Sequence, residues 1–327
     1  MLAEGFMRSL IAWMQALALL LLLSAAYLVG SLFGTKKLWA QDGNPIRIYR
    51  DLDWMGPDLT PEFQASRERS ISLDSQNTHV VLVPGFLHEW FPGYFDSIRD
   101  WLSSLGLSHE SLQTKSTLDS ATNADFVEAA ILKSEKRVVL VAHSRGGVEV
   151  LHALLRNPAL REKITGVLFI QSPFFGTWVA DFFQFESWER FVKTSHLLPR
   201  KTREFLFGIW RATRSLTALE RQGWMHTHHA EIQNLFVGQA LPAITLTSSD
   251  DRFFRLQSFE FFRRMMIWKG LATDGVVPEK SMQIPGVPRV SLKRLDHAGL
   301  VFRNSRLRES QFQICSGLLH LLGEFDQ

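Results

Sequence analysis

Cysteine is almost missing from this chain: Cys315 is the single one in 327 residues, so no disulfide can form within it. A small scaffold stapled by several bridges is thereby excluded, and one thiol leaves the redox compartment undecided. A dominant charge sign is lacking too, since 36 Lys and Arg against 33 Asp and Glu give a net charge of +3 without a basic block. Nucleic-acid binding needs a concentrated positive footprint, and none is seen. Arg263-Arg264 and the stretch Arg303–Arg308 read as solvated faces, with anionic lipid headgroups as a second reading. Metal-ligand spacing is also absent. His226-Thr-His-His229 gathers three histidines without the convergent carboxylate or cysteine at suitable spacing that a metal site needs, and reads as a solvated histidine-rich face. No metal and no cofactor is expected. Apart from one leucine run there are no repeats or low-complexity tracts.

What the chain does have is apolar mass. It is 46% hydrophobic and 12% aromatic, enough to bury one full domain core. Leu10 to Phe33 is nearly uninterrupted, with Gln15 and Ser24 as its polar marks. That run exceeds the ~20 residues a spanning helix needs and the roughly 7–15 of a signal-peptide core. A single-pass membrane anchor is the first reading and an exported protein released by signal cleavage the alternative, at Leu38-Trp39-Ala40 or Ser24-Ala25-Ala26. Arg8 on one side and Lys36-Lys37 on the other leave the orientation open. The chain then divides into residues 1–36 (anchor or signal), 37–77 (a polar linker with a short strand around Ile46–Tyr49) and 78–327 (the folded domain). Cys315 falls in an expected C-terminal helix, Arg306–Leu322, and reads as a small core hydrophobe.

The densest signal in the domain is Arg137-Val-Val-Leu-Val-Ala-His-Ser-Arg-Gly-Gly147. Arg137 to Val141 has the β-branched composition of a buried parallel strand, and Val148 to Leu155 follows with helical spacing. Between them Ala142-His-Ser-Arg-Gly146 fits the small-x-Ser-x-Gly elbow. A serine on so sharp a turn needs tiny residues two places either side, because strand and helix approach closely there. The turn lifts the hydroxyl clear of the sheet and leaves the next N–H free at a helix N-terminus. Upstream, the strand-like Thr78–Val83 ends in Pro84-Gly85-Phe86. Downstream lie the turn Thr273-Asp-Gly-Val-Val-Pro278 and Leu295-Asp-His-Ala-Gly299. The order is serine, then acid, then histidine.

With these residues the chain resembles the α/β-hydrolases, and among them the bacterial triacylglycerol lipases and esterases. Gln171-Ser-Pro-Phe-Phe-Gly-Thr177 with Val179-Ala-Asp-Phe-Phe183, Ser215-Leu-Thr-Ala-Leu219 as a short helix near the lid, and Asp274-Gly-Val-Val277 carry the likeness further. It spans about Thr78 to Leu322 and is patchy between Asp181 and Pro242. Pro84 stands where those lipases have histidine, and Ala142 where most have glycine. Their structural calcium site is not carried over, because Leu256 to Lys269 is basic and aromatic. The resemblance implies a mostly parallel sheet with helices on both faces. It implies Ser144 as nucleophile, His297 as general base, Asp274 as acid, and the N–H groups of Phe86 and Arg145 as oxyanion donors. The acid has rivals in Asp250 and Asp251, which follow the strand-like Ala243–Thr247. Asp296 is expected to be solvated, since neighbours on an extended segment point apart. Because backbone groups would form the oxyanion hole, side chains at 86 and 145 are expected to matter little.

About 70 residues separate the strand ending near Ile170 from the one starting near Ala243, far more than a plain connection needs. This insertion, about 178–240, is aromatic and amphipathic and reads as a helical cap, either packed shut or covering an apolar acyl pocket. The function expected is hydrolysis of carboxylic esters of hydrophobic acyl chains, with a lipid or similar ester as partner. The alternatives are acyl transfer or glycolipid deacylation by the same triad, and a catalytically silent membrane-bound binding protein.

Overall fold

A computed structural model of the chain describes residues 49, 52, 56–66, 69, 73–184, 199–238, 241–252, 260–303 and 308–324. The apolar run Leu10–Phe33 and the strand expected around Ile46 lie outside them, Tyr49 excepted. Among the described residues no helix is long and apolar enough to cross a membrane.

Six strands form one sheet: β1 (Thr78–Val83), β2 (Ser108–Ser111), β3 (Arg137–His143), β4 (Ile164–Ile170), β5 (Ala243–Ser249) and β6 (Arg289–Lys293). Their order is β2-β1-β3-β4-β5-β6 and every pairing is parallel. The central runs are β-branched and apolar throughout because both faces are covered. On one face Val138, Leu140 and Ala142 of β3 meet Val127 and Ile131 of helix α3 (Ser120–Lys133) and Leu151 and Leu154 of α4 (Arg145–Arg156). On the other, Val139 and Val141 meet Ile98 and Leu102 of α2 (Asp96–Ser104) and Leu318, Leu319 and Leu322 of α10 (Arg308–Glu324). Period-two alternation thus feeds two separate apolar layers. Cys315 of α10 is buried in the second layer.

The segment before β1 also packs on the sheet. Leu59 N–H donates to Arg289 O and Arg289 N–H to Pro57 O, extending the β6 edge, and α1 (Thr60–Ser66) buries Phe63 in the second layer. Between β4 and β5 the described residues form α5 (Trp178–Phe182), α6 (Arg200–Arg214), α7 (Ala218–Thr227) and α8 (His229–Gln233). α6 is amphipathic, burying Leu206, Ile209 and Trp210 and exposing Arg211 and Arg214. Phe205 packs on Trp90, ring centroids 5.0 Å apart, so α6 lies over the loop that follows β1. Ser215–Thr217, expected to be helical, is instead the turn that precedes α7. α9 (Glu260–Trp268) follows β5.

The sheet order reverses between β1 and β3, where one crossover leaves toward β2 and the next toward β4. In open parallel sheets the crevice at such a reversal, beyond the carboxyl ends of the strands, is where ligands bind. Gly85 and Ser144 both stand there.

Candidate active site

Ser144 closes β3 and caps α4 with φ 54° and ψ −126°. A non-glycine residue in that region carries on the order of 1–3 kcal/mol of strain, sustained only where surroundings enforce it. Here Ser144 N–H donates to Ile170 O at 2.9 Å, and Gly147 N–H donates to Ser144 O at 3.1 Å. The helix then runs close under the β1 end: a Cβ on Gly146 would lie 2.3 Å from Val83 O. Only glycine fits at that crossing, as the elbow spacing requires.

His297 lies in the loop after β6. Its Nε2 is 2.9 Å from Ser144 Oγ and its Nδ1 is 2.6 Å from Asp274 Oδ2. Asp274 is fully buried, and its other oxygen accepts from Val276 N–H (2.9 Å) and Val277 N–H (2.8 Å). Two N–H donors on one oxygen suit a carboxylate, whose other oxygen accepts a hydrogen bond from Nδ1–H of His297 and so leaves the Nε2 lone pair facing the serine hydroxyl. His297 N–H also donates to Asp274 O at 3.1 Å, tying the two loops through backbone as well.

Neither competing acid is the partner of His297. Asp250 is buried but binds Arg252 in two-pronged fashion at 2.7 and 2.6 Å, and Asp251 is exposed. Asp296 departs from its expected solvation. It is buried, and its carboxylate accepts from Ala298 N–H at 3.1 Å, so it caps the turn that carries His297. Of the histidine cluster, His226 and His229 are exposed, while His228 stacks on Trp224 at 4.4 Å. Among the described residues there is no group of three or more His, Cys, Asp or Glu that could hold a metal.

Next to the serine, Arg145 is the first residue of α4, where an N–H has no partner inside the helix. On the β1 side, Gly85 N–H donates to Tyr94 Oη (2.9 Å) and Leu87 N–H to Ser116 Oγ (2.7 Å), whereas among the described residues Phe86 N–H has no protein acceptor. Among the described residues, both N–H groups named from the sequence are therefore without a protein acceptor.

The side chains at 86 and 145 matter more than expected. Arg145 is wholly buried. Its guanidinium pairs with Glu149 at 2.8 Å, donates to Leu118 O and Lys115 O at 3.2 and 3.0 Å, and lies 5.0 Å from the centroid of the Phe86 ring. Asn123 closes the network, donating to Glu149 Oε1 and Lys115 O at 2.9 Å each. Burial raises the Glu149 carboxyl to about 7 despite the guanidinium beside it. The 115–118 loop so fixed supplies Ser116, which accepts from Leu87 N–H and donates to Glu89 Oε2. Arg145 thus braces from below the loop that carries Phe86. Nothing in the sequence marks this role, because the acceptors at Lys115 and Leu118 lie far from Arg145 along the chain.

No protein-family model and no curated protein matches the chain. Among solved structures it is similar to the metagenomic carboxyl esterase MGS0156, at 21% identity over 77% of each chain with a TM-score of 0.61. It is also similar to the mature form of the lipase BlEst2 of Bacillus licheniformis, at 17% identity over 76% of this chain and 90% of that one, TM-score 0.53. Identities this low speak for architecture alone. The chain has the α/β-hydrolase fold, with esterases and lipases as its structural neighbours.

Proposed function

We propose that the chain is a serine hydrolase that cleaves carboxylic esters of hydrophobic acyl chains. The observation that carries this reading is the file Ser144 Oγ, His297 Nε2, His297 Nδ1, Asp274 Oδ2, joined at 2.9 and 2.6 Å with the serine held at positive φ. In the proposed reaction His297 takes the hydroxyl proton as Ser144 Oγ attacks the ester carbonyl carbon. The developing oxyanion is held by Phe86 and Arg145 N–H. His297 then gives its proton to the leaving alcohol, and water, activated by the same imidazole, releases the acid and restores the serine. Asp274 holds the ring orientation and stabilises the imidazolium.

The preference for apolar acyl chains is supported by the aromatic pair Trp90 and Phe205, packed over the loop that follows β1, and by neighbours that are themselves named an esterase and a lipase. The run Leu10–Phe33 adds to the proposal a membrane anchor that keeps the site near a lipid surface, with export after signal cleavage as the alternative. The test is fluorophosphonate labelling of detergent-solubilised protein, with p-nitrophenyl esters of increasing chain length. Labelling confined to Ser144, and turnover rising with chain length, is expected. Ser144→Ala should lose on the order of 10⁴–10⁶-fold in kcat. Turnover surviving that change would sink the mechanism.

A further inference from the structure

His143, the residue before the serine, has both ring nitrogens engaged. Its Nδ1 is 2.5 Å from Tyr94 Oη and its Nε2 is 2.9 Å from His297 O. Tyr94 Oη in turn accepts from Gly85 N–H at 2.9 Å. The proton positions follow from the two ends. Gly85 N–H can only donate, so the tyrosine hydroxyl accepts there and sends its own proton to Nδ1. His297 C=O can only accept, so Nε2 carries the ring proton. One arrangement satisfies every member: Gly85 N–H to Tyr94, Tyr94 O–H to His143 Nδ1, His143 Nε2–H to the carbonyl of His297. It requires a neutral imidazole, and burial together with the nearby His297 holds His143 well below the usual histidine range.

This chain touches each of the three segments whose spacing defines the site. It starts on Gly85, next to the Phe86 N–H, passes through the residue joined to Ser144, and ends on the backbone of His297. The fit around it is tight. A Cβ on Gly85 would lie 2.7 Å from Tyr94 Oη and 2.8 Å from Ser144 Cβ, so the β1 loop can approach hydroxyl and serine only as glycine. The Tyr94 ring is gripped edge-on by Phe95 and Phe302, centroids 5.0 Å away in each case. Phe95 N–H donates to Val301 O at 2.8 Å, binding the tyrosine's own segment to the loop that follows His297.

Resting on the serine-hydrolase reading above, we propose that Tyr94 and His143 are positioning residues for that reaction. They hold the oxyanion loop in register with the general base. An oxyanion hole acts on the transition state and little on the bound ester, and misplacement by 1 Å can cost about 10²-fold in rate. A loosened loop therefore lowers kcat and leaves KM nearly alone.

The test compares Tyr94→Phe and His143→Gln, alone and combined, in p-nitrophenyl ester hydrolysis, with rates normalised to fluorophosphonate-titrated sites so that misfolded protein is not counted. Y94F keeps the packed ring and loses the hydroxyl. H143Q keeps a donor for the His297 carbonyl and loses the Nδ1 acceptor. Each is expected to lower kcat by on the order of 10–100-fold with KM within about twofold. The double variant is expected to lose no more than the worse single one, as members of one chain do. Should Y94F fail to fold, H143Q alone carries the kcat-against-KM test. Wild-type kcat in the variants overturns the proposal, as does a loss confined to KM or to melting temperature, or strict additivity in the double variant. Full turnover by Ser144→Ala in the same assay would instead remove the hydrolase reading itself.

Discussion

The loops at the end of the sheet and the helices between β4 and β5 are built by different physics. At the sheet end, directional bonds fix position: Asp274 accepts from two backbone N–H groups and an imidazole, and Arg145 is wholly buried with three acceptors in reach. Among the helices, apolar and aromatic contacts dominate. Phe207 stacks on Trp210 at 5.6 Å, and Phe182 meets Phe183 edge-on at 5.6 Å. Directional bonds tolerate errors of only about a few tenths of an ångström, the precision that bond-making chemistry demands. Apolar packing is non-directional and yields more readily to a differently shaped neighbour. The lesson is a division of labour, in which one region sets geometry and the other offers surface. It is tested by breaking each kind of bond in turn.

Of these bonds, the largest effect is expected from the one that Asp274→Asn breaks. The amide keeps the shape but offers N–H where the imidazole needs an acceptor, so His297 turns to the wrong tautomer. A loss on the order of 10⁴-fold in kcat is expected, with the melting temperature nearly unchanged. Steady-state kinetics beside a thermal melt checks both halves. A loss below about tenfold would mean that orientation of His297 comes from the backbone bond to Asp274 O and not from the carboxylate.

Next is Arg145→Met, which leaves the Glu149 carboxyl buried without its guanidinium. Breaking one partner of a buried pair costs about 3–5 kcal/mol, here read as a fall of roughly 10 °C in thermal melts. The double variant Arg145→Met, Glu149→Met is expected to recover much of that stability, because it removes the stranded carboxyl. Rate should not recover with it, since the 115–118 loop has lost both of its guanidinium bonds. A melt that stays at the wild-type value would show that the network braces nothing.

The contrast also separates what could be read from sequence from what could not. The strands β1, β3 and β4 announce themselves because burial on both faces forces apolar runs, β5 by its β-branched Ile-Thr-Leu-Thr, and the elbow because close approach forces Ala142 and Gly146. β2 does not: Ser108-His-Glu-Ser111 is a short polar edge strand with no apolar pattern to find. The rival acids were hard to part for a reason visible in the fold. Asp250 N–H donates to Thr273 O at 2.8 Å, so the excursion from 251 to 273 returns the Asp274 turn to the very end of β5. Both acids are neighbours in space, and only side-chain direction tells them apart. Arg145, Ser116 and the Tyr94–His143 chain were invisible because their partners are distant in sequence. A faint signal existed for Tyr94. In a chain with 25 Phe and 3 Tyr, a phenol kept inside an apolar cluster marks a hydroxyl with work to do.

Asp181 offers the smallest and sharpest break, because it is a directional bond set among the apolar helices. It is buried on α5, accepting from Ala218 N–H at the start of α7 (2.8 Å) and from Tyr49 Oη (3.1 Å). Burial raises its carboxyl to about 7, outweighing the two bonds that favour the anion. Unfolded, the group would ionise near 3.8. Below that value both states hold the proton and nothing is lost. As pH rises from about 4 to about 7 the unfolded chain gives up its proton while the folded chain keeps it, so stability falls, and above about 7 the deficit is constant. Asp181→Asn cannot ionise. Its melting temperature relative to wild type is therefore expected to climb by several degrees between pH 4 and 7 and then level off. Its kcat at a fixed pH should stay within about twofold of wild type, because the Asp181 side chain bonds Ala218 and Tyr49, whereas the tie from the start of α5 to the Asp274 turn runs through Thr177 Oγ1 to Val276 O and is left intact. A flat difference across that range would place the Asp181 carboxyl in a polar setting after all. A large loss of kcat would show that the helices set geometry as well as surface, and the division between the two regions would fail.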